Sequence, residues 1–457
     1  MRTHASRNAS LAAAAAALAF APLDAWAYLD PGTGSMLLSV VVGLVSSAYF
    51  VARKLPSMIR SLVYRLSGRK DDLARNRIAV YSESKSYWTT WRPVLLALAR
   101  RGAAVTYFTS AENDPVFDEA FQKECHGLVT ARFIGTGNAA YTALGFLEAD
   151  VFVLTTPGVD VLQIRRSPGV RRYAHVVHAL GDIHTYKLYS FDYYDAVLCS
   201  GAAQARSLRA LERIRGTAAK ALPLVGCPYL DGLVERAKTL SGEPEKNTVI
   251  VAPTWGRNGM LTRCGSLVPR LLAEAGLHVI LRPHPQSFIS DKDVISAVEK
   301  DLAKFPNVEW DRNPDGFATL SRASVMVSDV SGVIFDFAFV FLRPVITIGD
   351  GPLRDGFEAW EIPHPAWETA AMDELGRRIR PGDEASVAQA VRALMEDDGS
   401  RRERILALRE ENAVNFGRAG EAVADEILRI EAAVSGASGD SKASGAVPAA
   451  AREMRHA

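Results

Sequence analysis

From Ile78 onward, short runs rich in β-branched and aromatic residues alternate with stretches of helical periodicity, and this alternation limits the fold more than any other feature. The runs are RIAVYSES, AAVTYFTS, LVTARFIG, VFVLTT (Val151 to Thr156), YAHVVHAL (Tyr173 to Leu180), AVLCSG and ALPLVGCP (Ala221 to Pro228). Strand and helix in alternation mean βαβ units and a parallel sheet. A first doubly wound domain over 77–240 follows, closed by the linker SGEPEKN at 241–247. A second series, TVIVAPTW, LHVILRPHP, NVEWD, SVMVSDVSG and PVITIG, gives a second Rossmann-like domain over 248–432. The Ala, Gly and Ser content of 433–457 predicts a disordered tail. The expected class is therefore α/β, with two Rossmann-like domains facing a cleft and ligands beyond the carboxyl ends of the strands.

Ahead of these domains stands an address. Residues 1–27 carry Arg2 and Arg7, an Ala/Leu run and a closing Ala25-Trp26-Ala27, the pattern of an export signal peptide. A short exported stub, 28–35, precedes an apolar block at 36–52 that is just long enough for a transmembrane helix. The juxtamembrane segment 53–76 and Arg77 together hold eight basic residues against Asp71 and Asp72. By the positive-inside rule the domains that follow face the cytoplasm, on a single-pass protein of the inner membrane. Leu55 to Leu66 reads as a basic amphipathic helix on the inner leaflet, or as a solvated linker.

Charge and cysteine usage remove other classes. With 53 basic and 52 acidic residues the chain offers no electrostatic footprint for nucleic acid. Cys125, Cys199, Cys227 and Cys264 form no CxxC pair, so neither a zinc site nor a disulfide framework is indicated, and buried reduced thiols are expected. GxGxxG and GxxxxGK[ST] are both missing, which leaves a dinucleotide oxidoreductase or P-loop NTPase without support, and no DxD metal motif stands at a strand end. No cofactor or metal is expected.

Three strand ends carry polar groups. VHALGDIHTYK places His178, Asp182, His184, Tyr186 and Lys187 together, and LRPHPQS presents Arg282 and His284 on a loop stiffened by Pro283 and Pro285. In VSDVSGVIFDF, Ser328, Asp329, Ser331 and Gly332 close a strand and open a helix, an arrangement that serves equally as an anion site and as ordinary capping.

Taken together, APTW (Ala252 to Trp255), RPHP (Arg282 to Pro285), SDVSGVIFDF and GCPYLD (Gly226 to Asp231) stand in the order found in the CDP-glycerol glycerophosphotransferase family of teichoic acid synthesis, and the chain resembles that family from about Arg77 to Ala433. The resemblance implies a GT-B fold and transfer of glycerol phosphate, or a related polyol phosphate, from CDP-glycerol or another CDP-polyol to a lipid-linked or membrane glycan acceptor in the bacterial cell envelope. It implies a base at His178, with His184 as the other candidate, and donor binding by Thr254, Arg282, His284, Ser328, Asp329, Ser331, Gly332 and Asp336. Two positions depart from the family pattern: Ala179 replaces the glycine after the first histidine, and Gly332 replaces the second serine of the signature. The same fold would also serve a glycosyltransferase using a nucleotide sugar, or a non-catalytic membrane-tethered relative.

Overall fold

The computed structural model describes residues 76–443 except 314, 330, 350–355 and 397–398, with side chains described as far as 436. The expected signal peptide, stub, transmembrane block and nearly all of the basic segment lie outside the described residues. No helix among those described is long and apolar enough to cross a membrane.

The first lobe is a six-stranded sheet of β1 (Asn76–Ser82), β2 (Val105–Thr109), β3 (Val129–Phe133), β4 (Ala149–Leu154), β5 (Val170–Val176) and β6 (Ala196–Leu198). All neighbours are parallel, in the order β3-β2-β1-β4-β5-β6. Ile78 of β1 pairs with Val105 on one side and Val151 on the other. Strands buried on both faces read as continuous apolar runs, which explains why these were visible in the sequence.

The second lobe repeats the plan with β7 (Thr248–Ala252), β8 (His278–Leu281), β9 (Val308–Trp310), β10 (Val325–Ser328), β11 (Val345–Ile348) and β12 (Gly376–Ile379), ordered β12-β11-β10-β7-β8-β9. In each lobe the strand order reverses at one point, between β1 and β4 and between β7 and β10. Ligands of such sheets bind at the carboxyl ends beside that reversal.

Two strand readings change. ALPLVGCP is no strand: Ala221 and Leu224 make only isolated bridges, to Ala196 and Cys199. Pro223 and Pro228 lack the N–H a ladder requires. β12, with the sequence GRRI, was not expected, because a short edge strand bearing two arginines carries no apolar alternation. All four cysteines are free, and Cys125, Cys199 and Cys227 are buried.

The tail also differs from expectation. A closing helix spans Ala419–Ala443, through the start of the segment whose composition suggested disorder. Val423, Ile427, Ile430 and Val434 form a buried stripe at helical spacing. The helix packs on Trp88–Arg100, β4 and β5, so it completes the first lobe although it follows the second in the chain. GCPYLD prepares this return. Gly226 has φ +90°, and a Cβ there would lie 2.1 Å from the Val414 carbonyl oxygen. Asp231 accepts hydrogen bonds from the Ala419 and Gly420 N–H groups at 3.0 and 2.7 Å, capping the closing helix.

The lobes share a core in which Leu180, Cys227 and Leu230 meet Phe335, Phe339 and Trp367. Beside it Arg215 pairs with Asp192 and Glu361, at 2.6 and 2.7 Å, and with the fully buried Glu358.

Candidate functional site

In the first lobe, His178 stands two residues beyond β5. It is half-buried, and Tyr87 and Tyr186 meet its ring edge-on with centroids 5.0 and 6.3 Å away. Burial among these rings lowers its pKa, which leaves a neutral imidazole at physiological pH. Its Nδ1 has no hydrogen-bond partner among the described residues. At the β1/β4 reversal, Glu83 accepts hydrogen bonds from the Tyr141 hydroxyl (2.7 Å) and Thr156 Oγ1 (3.2 Å). The sequence reading missed Glu83, Tyr87, Tyr141 and Thr156; the polar run SESKSY at the end of β1 was a signal for Glu83 and Tyr87, and none marked Tyr141 or Thr156.

His184 occupies a different environment. It is buried, with Nε2 2.8 Å from the His364 carbonyl oxygen and Nδ1 3.3 Å from Asp182 Oδ2. Burial lowers its pKa, Asp182 raises it, and the net displacement is upward. His364 Nε2 lies 3.0 Å from Ser207 Oγ, and Glu368 accepts the Asp182 N–H at 2.6 Å. His178 and His184, six residues apart in sequence, thus divide between the end of the first sheet and the junction of the lobes. His364 and Glu368 are distant in sequence and were not anticipated.

In the second lobe, several nominated residues hold loops in place. Asp329 is buried and accepts the Thr254 N–H (2.8 Å) on one oxygen and the Met260 N–H (2.7 Å) on the other, tying the loop after β7 to the end of β10. Ser328 donates to the Ala252 carbonyl at 2.6 Å. The Arg282 guanidinium binds Asp311 (2.6 Å) and the Asn313 carbonyl (2.7 Å). Asp336 accepts from the Tyr229 hydroxyl, and burial pushes its pKa up to about 7. It joins two helices and lies in the first turn of the helix that Gly332 opens.

The remaining nominated groups are better placed to meet a ligand. His284 is exposed, and its Nδ1 accepts the Gln286 N–H at 3.1 Å. A neutral His284 therefore carries its proton on Nε2, as a donor. Partial burial, then the charge of Arg282, lowers its pKa and favours that neutral form. The exposed Trp255 ring lies 6.3 Å from it. Ser331 and Gly332 precede the helix Val333–Phe341, and the Ile334 and Phe335 N–H groups turn back to the Ser331 and Gly332 carbonyls at 3.3 and 3.1 Å. Gly332 has φ −58°, and a Cβ added there meets nothing within 4 Å, so the position would accept the serine of the resembled family. These loops follow β8, β7 and β10, neighbours in the sheet, and so share one edge of it.

No protein-family model and no curated protein sequence matches the chain. Among solved structures it is similar to the wall teichoic acid polymerase TagF, with a TM-score of 0.51 and 14% identity over 84% of this chain and 98% of that one. It is likewise similar to UDP-GlcNAc 2-epimerase from Neisseria meningitidis bound to UDP-GlcNAc, with a TM-score of 0.51 and 12% identity over 78% of this chain and all of that one. At such identities the likeness is one of fold, two Rossmann-like lobes of the GT-B type.

Proposed function

We propose that the chain transfers glycerol phosphate, or a related polyol phosphate, from a CDP-activated donor to a hydroxyl of a membrane-bound glycan or glycolipid, releasing CMP in cell-envelope polymer synthesis. One observation carries this reading: each lobe has an imidazole at the carboxyl edge of its parallel sheet, His178 and His284, and each is held toward its neutral form. A neutral His178 can take a proton, and a neutral His284 with its hydrogen on Nε2 can give a hydrogen bond. The shared fold with TagF supports the reading, and so does the order of the four sequence motifs.

In the proposed reaction the acceptor hydroxyl gives its proton to His178 while its oxygen bonds to the phosphorus that carries the polyol. The bond from that phosphorus to the bridging oxygen breaks, and CMP leaves with the electron pair. Charge gathering on the phosphoryl oxygens and on CMP is received by His284 Nε2–H, the Ser331 hydroxyl and the positive end of the dipole of the helix Val333–Phe341. Thr254, Ser328 and Asp329 hold those loops. Arg282, engaged by Asp311, stiffens its own loop and adds positive potential. His184 and Asp336 act on the packing between elements. The block at 36–52 would anchor the enzyme beside its acceptor, with the lobes on the cytoplasmic side where CDP-activated donors are made.

Membranes containing the full chain, incubated separately with CDP-glycerol, CDP-ribitol and UDP-sugars, should release CMP from a CDP-polyol and transfer its labelled polyol phosphate. Turnover of a UDP-sugar without CMP release would replace this reading with glycosyl transfer.

A further inference from the structure

The junction of the lobes holds a second constellation. Asp182 and His184 come from the turn after β5, and His364 comes from the segment between β11 and β12; one ligand atom from each lies within 4.8 Å of the others. We propose that these three side chains bind one divalent transition-metal ion of the zinc type, which joins the two lobes.

The argument begins with the His184 ring. A carbonyl oxygen only accepts, so His184 Nε2, 2.8 Å from the His364 carbonyl, carries a hydrogen. In the neutral ring the lone pair of Nδ1 then faces Asp182 Oδ2, 3.3 Å away, and in a dry site a positive charge, a second ring proton or a metal ion, must stand between the two. The His184 side chain is 5% exposed, and its Nδ1 has no hydrogen-bond partner among the described residues, so no aligned N–H···O bond fills the gap. The spacing suits a metal: two ligands at about 2.0–2.1 Å on a tetrahedral ion are separated by about 3.3 Å. Donation by the far nitrogen of a ligating histidine to a backbone carbonyl is the usual outer-shell support of such sites.

Charge points the same way. Asp182 is fully buried and Glu368 is 9% exposed, and neither forms an ion pair with lysine or arginine among the described residues. Glu368 Oε2 has no partner there either. A divalent ion would balance the Asp182 carboxylate. Two histidines and one carboxylate are a common set for transition metals, and Ser207 Oγ, 3.0 Å from His364 Nε2, stands beside them. Magnesium, which prefers oxygen ligands and retained waters, fits less well.

Metal binding can be measured without turnover, so it stands or falls apart from the proposed transferase reaction. The full chain in detergent, stripped on a chelating resin and reloaded with zinc chloride, should retain one equivalent through gel filtration and unfold at a higher temperature than the stripped protein. Cobalt in place of zinc should give visible bands of tetrahedral intensity, and magnesium should do neither. His364→Gln and Asp182→Asn should each weaken zinc binding by more than the ten- to hundredfold typical of losing an outer-shell partner. His278→Ala, which alters the surface histidine beside Glu245 and Glu309, should keep the equivalent. Failure of the unmodified protein to retain zinc, or loss of the ion only in His278→Ala, would overturn the proposal. So would an Nδ1-bound proton on His184, seen by nitrogen NMR in protein incubated with zinc; the gap is then closed by an imidazolium.

Discussion

A strand-end histidine serves as a base only while it is unprotonated. The packing of Tyr87 and Tyr186 around His178 lowers its pKa from the ordinary 6.5, so protonation and loss of rate come at lower pH. The acid limb of kcat/KM should accordingly lie below pH 6.5, and a limb above 7 would contradict the assignment. His178→Ala should lower kcat by on the order of a hundredfold or more and leave donor affinity nearly unchanged; rapid-quench turnover and calorimetry with CDP-glycerol separate the two effects. Gly332→Ser tests one of the two departures from the family pattern. With ordinary φ and open space at Cβ, the variant should melt within about 2 °C of the parent, as surface changes of roughly ±0.5 kcal/mol do. A larger fall would mean that the helix entrance is tighter than described.

At the scale of elements, the loop after β8 combines two residues with separable duties. His284→Ala removes a donor but no structural bond beyond the one from the Gln286 N–H, so it should weaken CDP-glycerol roughly ten- to a hundredfold and leave cytidine binding unchanged. Arg282→Ala leaves Asp311, whose side chain is 5% exposed, with the Thr319 hydroxyl and the Asn313 N–H but no cation, and should cost roughly 3 kcal/mol of stability as well as affinity. Chemical denaturation of both variants checks the contrast; equal stability losses would merge the two roles. The sequence made the loop itself legible, since RPHP after an apolar run is a stiff strand end. Its division of labour was not legible, because Asp311 lies 29 residues on and motif order carries no side-chain direction. The serine signature behaved similarly: Ser328 and Asp329 were found, but their partners lie in a distant segment, Ala252 at the end of β7, Thr254 just after it and Met260 at the start of a short helix. The Asp182, His184 and His364 group was beyond reach, as His364 follows His184 by 180 residues.

For the whole molecule, the two-lobed plan could be read from apolar runs, whereas the return of the closing helix could not, since Val423, Ile427 and Ile430 fall in the stretch assigned to the second domain and Val434 alone lies in the Ala, Gly and Ser tail. Burial of Val423, Ile427 and Ile430 is worth roughly 5 to 9 kcal/mol at about 1.5 to 3 per side chain, comparable with the entire stability of a domain. A chain ending at Arg418 should therefore lose the protease resistance of the first lobe, and one ending at Gly436 should keep it. Limited proteolysis followed by mass spectrometry reads both. The same return has a consequence for synthesis. About 180 residues separate Lys238 from Ala419, and at roughly 5 to 20 residues per second a ribosome needs about ten to forty seconds to make them. Throughout that interval the newborn first lobe has its apolar flank on Trp88–Arg100 uncovered. The lobe that emerges first is covered only after the second has been made, which makes the nascent chain a client for chaperones through that interval.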